Sequence, residues 1–268
     1  ISVLYRMGSS RRNTLYATVS KGYKAGGFNT QMFSDVLQQQ VMKQMGFGSL
    51  YDVADVVTYK PEKSWNYEVG AHLSTPSHKV QADLALFYID CRDQQLTVFP
   101  EGQVTGRLMT NAGRTRSFGG EASLLATLWR NLDLQVAYGY TRATFVKFDT
   151  GKADYAGNFI PYAPQHTLYA GASYTLRTGW NWLEYVIFRV AANGAGRIYW
   201  NEANTFSQPF YALLEASIRF EHRHWAVDVW GRNLTDTRYD TFYFMSIGNS
   251  FLQRGRPRTF GVSLSITL

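Results

Sequence analysis

The chain has 268 residues, 27 Lys and Arg against 20 Asp and Glu (a formal charge of +7), 16% aromatic residues and a single cysteine. Its bases are scattered singly through turns and loops rather than gathered in a run or a basic helix, which argues against nucleic-acid binding. No stretch approaches the roughly 18 uninterrupted apolar residues of a membrane-crossing helix, although strands that hide apolar residues in alternation escape that criterion. Cys91 alone cannot form an internal disulfide.

In chain order, the first predicted strands cover 1–7 and 14–25, joined by the turn-like GSSRRN at 8–13. Within VSKGYKAGGFNT (19–30), Val19 continues the row of Leu15 and Ala17, and Gly26 and Gly27 release the chain into its longest connection, 26–63. The lysines precede those glycines and no Lys-Ser/Thr pair follows, so the stretch does not fit a phosphate-cradling loop. Phe33, Leu37, Val41 and Met45 recur every four residues, which predicts a short helix over 31–45.

From residue 64 onward strict alternation dominates. Trp65, Tyr67, Val69, Ala71 and Leu73 oppose Asn66, Glu68 and His72 in a strand at 64–75, and Val80, Ala82, Leu84, Leu86 and Tyr88 oppose Gln81 and Asp83 in one at 80–99. Further strands are expected at 105–128, 132–148, 165–176, 182–200, 209–221, 225–242 and 256–268, giving eleven. In the last, Phe260, Val262, Leu264, Ile266 and Leu268 share one face, and Gly261, Ser263, Ser265 and Thr267 the other. Arg189 falls on the face of Leu183, Tyr185 and Ile187, which predicts a bulge near 182–190. Connections alternate between short turns (PSHK 76–79, WRN 129–131, RTGWN 177–181, HRH 222–224) and mostly longer segments (26–63, 149–164, 201–208, 243–255). That segregation is the pattern of an outer-membrane barrel.

Catalytic chemistry has little support. His222 and His224 lack a third ligand at a metal-site spacing, and neither a G-x-S-x-G elbow nor an H-E-x-x-H pair is present. No enzyme activity, metal site or cofactor is expected. Tyr140, Tyr199, Trp200, Tyr239 and Tyr243 lie near strand ends and are expected to form an interfacial girdle.

LYATVSKGYKAGGFN, PEKSWNYEVGAH, LFYIDCRDQQL, NAGRTRSFGGEASL, NLTDTRY and PRTFGVSLSITL, in that order, resemble the C-terminal barrel of TonB-dependent outer-membrane receptors, most of all the ferric-siderophore type. The resemblance implies an all-β, antiparallel up-and-down transmembrane barrel of about 22 strands, with 1–268 as its C-terminal portion and 26–63 as a long extracellular loop. It further implies location in the outer membrane of a Gram-negative bacterium, with lipid and lipopolysaccharide around the wall. A plug domain preceding this portion would contact the TonB system, and a ferric siderophore or similar small ligand would be imported. A passive channel or structural barrel without energy coupling is the alternative. Ligand contact is expected at Lys24, Arg92, Arg114, Arg116 and Tyr243, in the lumen or the loops. Arginines facing the lumen near the mouth would attract an anionic chelate through their planar fork; ion pairs with Asp90, Asp93 or Glu121 are the competing reading. Two departures from the family pattern are Leu268, where an aromatic terminus is usual, and Gly120, where an apolar residue is usual. Half a barrel would leave two open edges that hydrocarbon does not tolerate, so these residues alone are not expected to form a stable transporter.

Overall fold

The computed structural model describes all residues except 9–12, 31–36, 38–40, 42, 47–56, 99–107, 152, 247–248 and 268. Eleven antiparallel strands form one sheet in sequential order. They are β1 (Ser2–Met7), β2 (Asn13–Lys24), β3 (Glu62–Ser74), β4 (Val80–Val98), β5 (Leu108–Trp129) and β6 (Leu132–Lys147), then β7 (His166–Trp180), β8 (Leu183–Gly196), β9 (Tyr211–His222), β10 (Trp225–Arg232) and β11 (Thr259–Ile266). Each strand pairs with its neighbours in sequence because the short turns leave no other partner within reach. β4 and β5, at 19 and 22 residues, exceed the roughly 9–11 residues that cross a bilayer. They project past it at the end that carries the long connections.

Cross-strand register sorts the side chains into rows. Leu15, Ala71, Leu84, Ala122 and Tyr138 oppose one another across β2 to β6. The row two residues nearer the long connections is Ala17, Val69, Leu86, Gly120 and Tyr140, and the next is Val19, Tyr67, Tyr88, Phe118 and Arg142. An aliphatic band therefore ends in an aromatic row, with the Tyr67 and Tyr88 rings 6.3 Å apart. Leu86, Val69, Phe260 and Val262 are each more than half exposed, an arrangement that suits lipid and not water. The opposite face carries Tyr16, His72, Asp83, Ser123, Arg189, Glu215 and Asp228.

A register shift lies within the expected stretch, between Leu183 and Tyr185, but the extra residue is on β7, where Arg177 to Trp180 spans three residues against two on β8; Tyr185, Ile187 and Arg189 therefore stay on one face, the polar one. Two predicted strands are shorter than expected. The 182–200 strand ends at Gly196, after which Ile198–Tyr199 pairs with Ser207–Gln208 in a separate ladder. The 225–242 strand ends at Arg232, and Asp240–Ser246 pairs instead with Asn249–Arg254. Asn233 causes the second break. It adopts φ 50°, donates from Nδ2 to the carbonyls of Thr237 (3.0 Å) and Arg256 (3.1 Å), and accepts the Thr237 amide (2.9 Å). Of the helix expected over 31–45, Leu37, Val41, Lys43 and Gln44 are helical and the Met45 amide donates to the Val41 carbonyl at 3.0 Å. The remainder lies outside the described residues.

Adjacent glycines in β5 differ in what they permit. A methyl at Gly119 would overlap the Tyr140 backbone carbonyl, whereas one at Gly120 would meet Leu86 Cδ2 at 2.8 Å, a side-chain end free to turn outward, and the Ala85 carbonyl at 3.4 Å, an ordinary contact. Gly119→Ala is expected to destabilise the wall by about 1–3 kcal/mol and Gly120→Ala by much less. Urea unfolding of the intact protein in detergent checks this, and equal midpoints for the two variants would contradict it. The departure at Gly120 is thus a tolerant position on the apolar face.

Candidate functional site: the polar wall and the long-connection end

The polar face carries a ladder of hydrogen-bonded side chains. The Tyr16 hydroxyl donates to Glu68 Oε1 (2.8 Å), and the Tyr16 ring stacks on His72 with centroids 5.3 Å apart. His72 Nδ1 lies 2.7 Å from Asp83 Oδ1, and Ser123 donates to the other Asp83 oxygen at 3.0 Å. Further along, Asn193 donates to Glu215 (3.3 Å), Trp230 Nε1 to Ser263 (3.1 Å), and the Arg232 guanidinium lies 4.8 Å from the Trp230 ring centre. Residues of β5 to β11, among them Asp133, Tyr169, Arg189, Glu215 and Asp228, line a concavity of about 500 Å³. Such a wall, polar and of mixed charge, suits a wet interior or a docked polar domain. Among the described residues no cluster of His, Cys, Asp and Glu could hold a metal ion.

At the long-connection end the loops pack on one another. Tyr162 sits against Trp200 (centroids 5.5 Å) and stacks on Phe242 (5.5 Å), and its hydroxyl donates to the Tyr243 carbonyl at 3.0 Å. Phe206 stacks on Tyr243 (4.6 Å) and Phe159 on Tyr199 (5.3 Å). Asn204, at φ 56°, accepts the Phe159 amide (2.6 Å) and donates to its carbonyl (2.9 Å). Three connections, 149–164, 198–208 and 240–254, are thereby joined into one aromatic assembly. Below it, Ala112, Ala143, Phe145, Phe148 and Ile160 form a small buried core.

Glu202 belongs to this assembly, and its main chain accepts from Asn158 Nδ2 at 2.9 Å. Desolvation pushes its carboxyl above the usual carboxylate range, and a backbone hydrogen bond pulls it part of the way back. The packed loop therefore holds the proton more tightly than the open one does. Loop closure is strongest below the ordinary Glu value of about 4.3 and weakens as pH rises through the raised one. Hydrogen exchange of the 157–160 and 201–206 amides is expected to become faster, after correction for intrinsic rates, as pH rises from below the ordinary Glu value through the raised one. Glu202→Gln should remove the trend, and its persistence in that variant would contradict the assignment.

The five residues expected to meet ligand do not converge. Lys24 closes β2 on the polar-face parity of Tyr16 and Thr18, opposite Glu62. Arg92, Arg114 and Arg116 lie on the apolar-face parity instead: Tyr88 opposes Phe118, Asp90 opposes Arg116 and Arg92 opposes Arg114. This corrects the lumen-facing placement, since β4 and β5 keep their alternation past the aromatic row and an even-numbered residue stays on the outer face. Arg114 does pair with Asp90, through Nε at 2.7 Å and an Nη at 3.1 Å. Tyr243 is 7% exposed and packs within the loop assembly, so it presents no free ring to a ligand. Tyr199, Trp200 and Tyr239 likewise leave the expected girdle for loop packing, Tyr239 by stacking on Tyr211 (4.5 Å), because β8 and β10 end before reaching them. Tyr140 stays on the apolar face. Tyr162 and Asn204 were missed because NFIPYAP and NEANTF carry no periodicity; the Asn and aromatic density of both was the available signal.

The family model for the TonB dependent receptor-like β-barrel matches residues 1–234. The chain belongs to the TonB-dependent receptor β-barrel family. It is 27% identical over 258 residues to the pesticin receptor of Yersinia pestis, covering 94% of this chain and 33% of that protein. It thus spans about a third of the length of the curated relatives it matches. Among solved structures, the ferric yersiniabactin uptake receptor FyuA from Yersinia pestis superposes with a TM-score of 0.76 at 23% identity, over 99% of this chain and 36% of that one. The copper transporter OprC gives 0.71 at 15% identity, over 99% and 38%. Both likenesses establish the fold. TonB-dependent receptors are Gram-negative outer-membrane proteins, so the apolar rows face the hydrocarbon of the outer membrane. The polar face is the lumen wall; in barrels of this kind the short turns are periplasmic and the longer loops extracellular.

Proposed function

We propose that the protein to which this chain belongs imports a ferric siderophore across the outer membrane in a TonB-dependent step. Ligand enters from outside between the outer loops and a plug domain, and the TonB system then rearranges the plug. This chain supplies lumen wall and outer mouth. The observation that carries the reading is the alignment of 94% of the chain with a receptor at 27% identity; the likeness to a ferric siderophore receptor in fold supports it. The packed aromatic assembly at the mouth supports it further, since preorganised loops bind with less ordering cost than mobile ones. Equilibrium titration of the intact receptor against ferric siderophores, haem and cobalamin tests the ligand class. Saturable binding of a ferric siderophore is expected; binding of haem or cobalamin alone would overturn it.

A further inference from the structure

Three hairpin ends on the short-turn rim repeat one composition. Two residues join β5 to β6, with Trp129 opposite Leu132, two join β7 to β8, with Trp180 opposite Leu183, and two join β9 to β10, with His222 opposite Trp225. Each end exposes an arginine: Arg130, Arg177 and Arg223. Residues 129–131, 177–182 and 222–224 contain no acid. Of the acids that flank them, Asp133 accepts the Thr127 hydroxyl and Glu221 the Arg219 guanidinium, both at 2.7 Å. Glu184 falls on the parity opposite to Leu183. The arginines of the rim are therefore left to meet something outside the chain.

Indoles accompany them. Trp129, Trp180 and Trp182 are 72%, 55% and 62% exposed, and Trp180 stacks on Trp182 with centroids 5.3 Å apart and planes 12° from parallel. Trp129 opposes Leu132, which continues the outward row of Leu134 and Val136, so it fits the lipid boundary. Trp180 does not, because Leu183 opposite it shares the polar-face parity of Tyr185 and Arg189. The stacked pair is a flat apolar surface turned to water, the kind of patch that marks a partner. The shape of the rim narrows what that partner is. Two-residue turns leave neither cleft nor overhang, so the partner lies flat. Successive turns are two strands apart, about 10–13 Å once tilt widens the strand spacing, comparable with one disaccharide of a β-linked glycan. The C–H face of a sugar suits the electron-rich face of an indole, and arginine's fork suits a carboxylate. A glycan with one carboxylate-bearing side group per disaccharide meets both demands, and on the periplasmic side, where short turns of such barrels lie, that is the chemistry of peptidoglycan.

We propose that this rim docks peptidoglycan, with Arg130, Arg177 and Arg223 holding stem-peptide carboxylates and the Trp180–Trp182 pair a sugar face. It rests on the orientation of the wall and not on the identity of the imported ligand, so its failure and that of the uptake reading are separable. The test sediments the intact receptor, in detergent, with purified peptidoglycan sacculi and reads the bound fraction. Sacculi stripped of their stem peptides are the second probe, and vesicles of anionic phospholipid are the competitor. Saturable co-sedimentation with intact sacculi is expected. It should fall on the order of tenfold for stripped sacculi, and equally for the combined variant Arg130→Gln, Arg177→Gln, Arg223→Gln. Trp180→Ala with Trp182→Ala should weaken binding to both kinds of sacculi, and Arg256→Gln, at the opposite end, should change neither. Heat-modifiable gel migration confirms that each variant is folded. Absence of co-sedimentation, unchanged binding by the folded arginine variant, or equal binding of stripped sacculi would overturn the proposal. So would full displacement by the vesicles, which would make the rim a contact for the membrane surface only.

Discussion

Arginine at position 86 is expected to cripple the barrel, while arginine at position 85 is not. Leu86 is 64% exposed on the outward row between Val69 and Gly120, roughly midway through the stretch of β4 that crosses the hydrocarbon. A cation there costs about 2–4 kcal/mol near the bilayer centre, because its nearest relief is to snorkel toward a headgroup several residues away. Ala85 points to the opposite face, beside Glu121 and Gly139, where a new arginine finds carboxylate and water. Levels of folded, heat-modifiable receptor in outer-membrane fractions check the contrast. A strong loss for Leu86→Arg beside near-normal Ala85→Arg is predicted; equal levels, or the reverse order, would contradict the assignment of the two faces.

Trp200→Ala should act locally and severely. Trp200 is 7% exposed; its amide donates to the Phe206 carbonyl at 2.9 Å, its ring packs on Tyr162, and Tyr162 in turn bonds Tyr243. Removing a buried indole costs about 3–5 kcal/mol, more than an outer-loop assembly is expected to withstand without opening. Hydrogen exchange should then lose protection together at 155–165, 198–208 and 240–246, ligand affinity should fall, and the melting of the wall should stay unchanged. Trp200→Phe should recover part of the protection. Loss confined to 198–208 would mean that the three connections are not one unit.

The wall was legible in the sequence and the mouth was not. Leu84, Leu86 and Tyr88 against Gln81 and Asp83 give strand and face from a period of two alone, because in a membrane wall the solvent on each side dictates every residue. Parity failed where hydrocarbon stops dictating. Past Tyr88 the same alternation continues into Asp90 and Arg92, and a charged residue on the outward face reads like one on the lumen face unless its height is known. Beyond Gly196 and Arg232 the chain follows side-chain clasps such as Asn233 and Asn204, whose partners lie as far as 45 residues away in sequence, and no local pattern encodes those.

The most direct test of the whole account is accumulation of the radiolabelled iron complex of a siderophore that the intact receptor binds, in cells with and without a working TonB system. Accumulation that saturates and collapses to the receptor-free background when TonB is deleted is the predicted result. Equal accumulation in both strains, rising linearly with concentration, would make the barrel a passive channel and contradict the account.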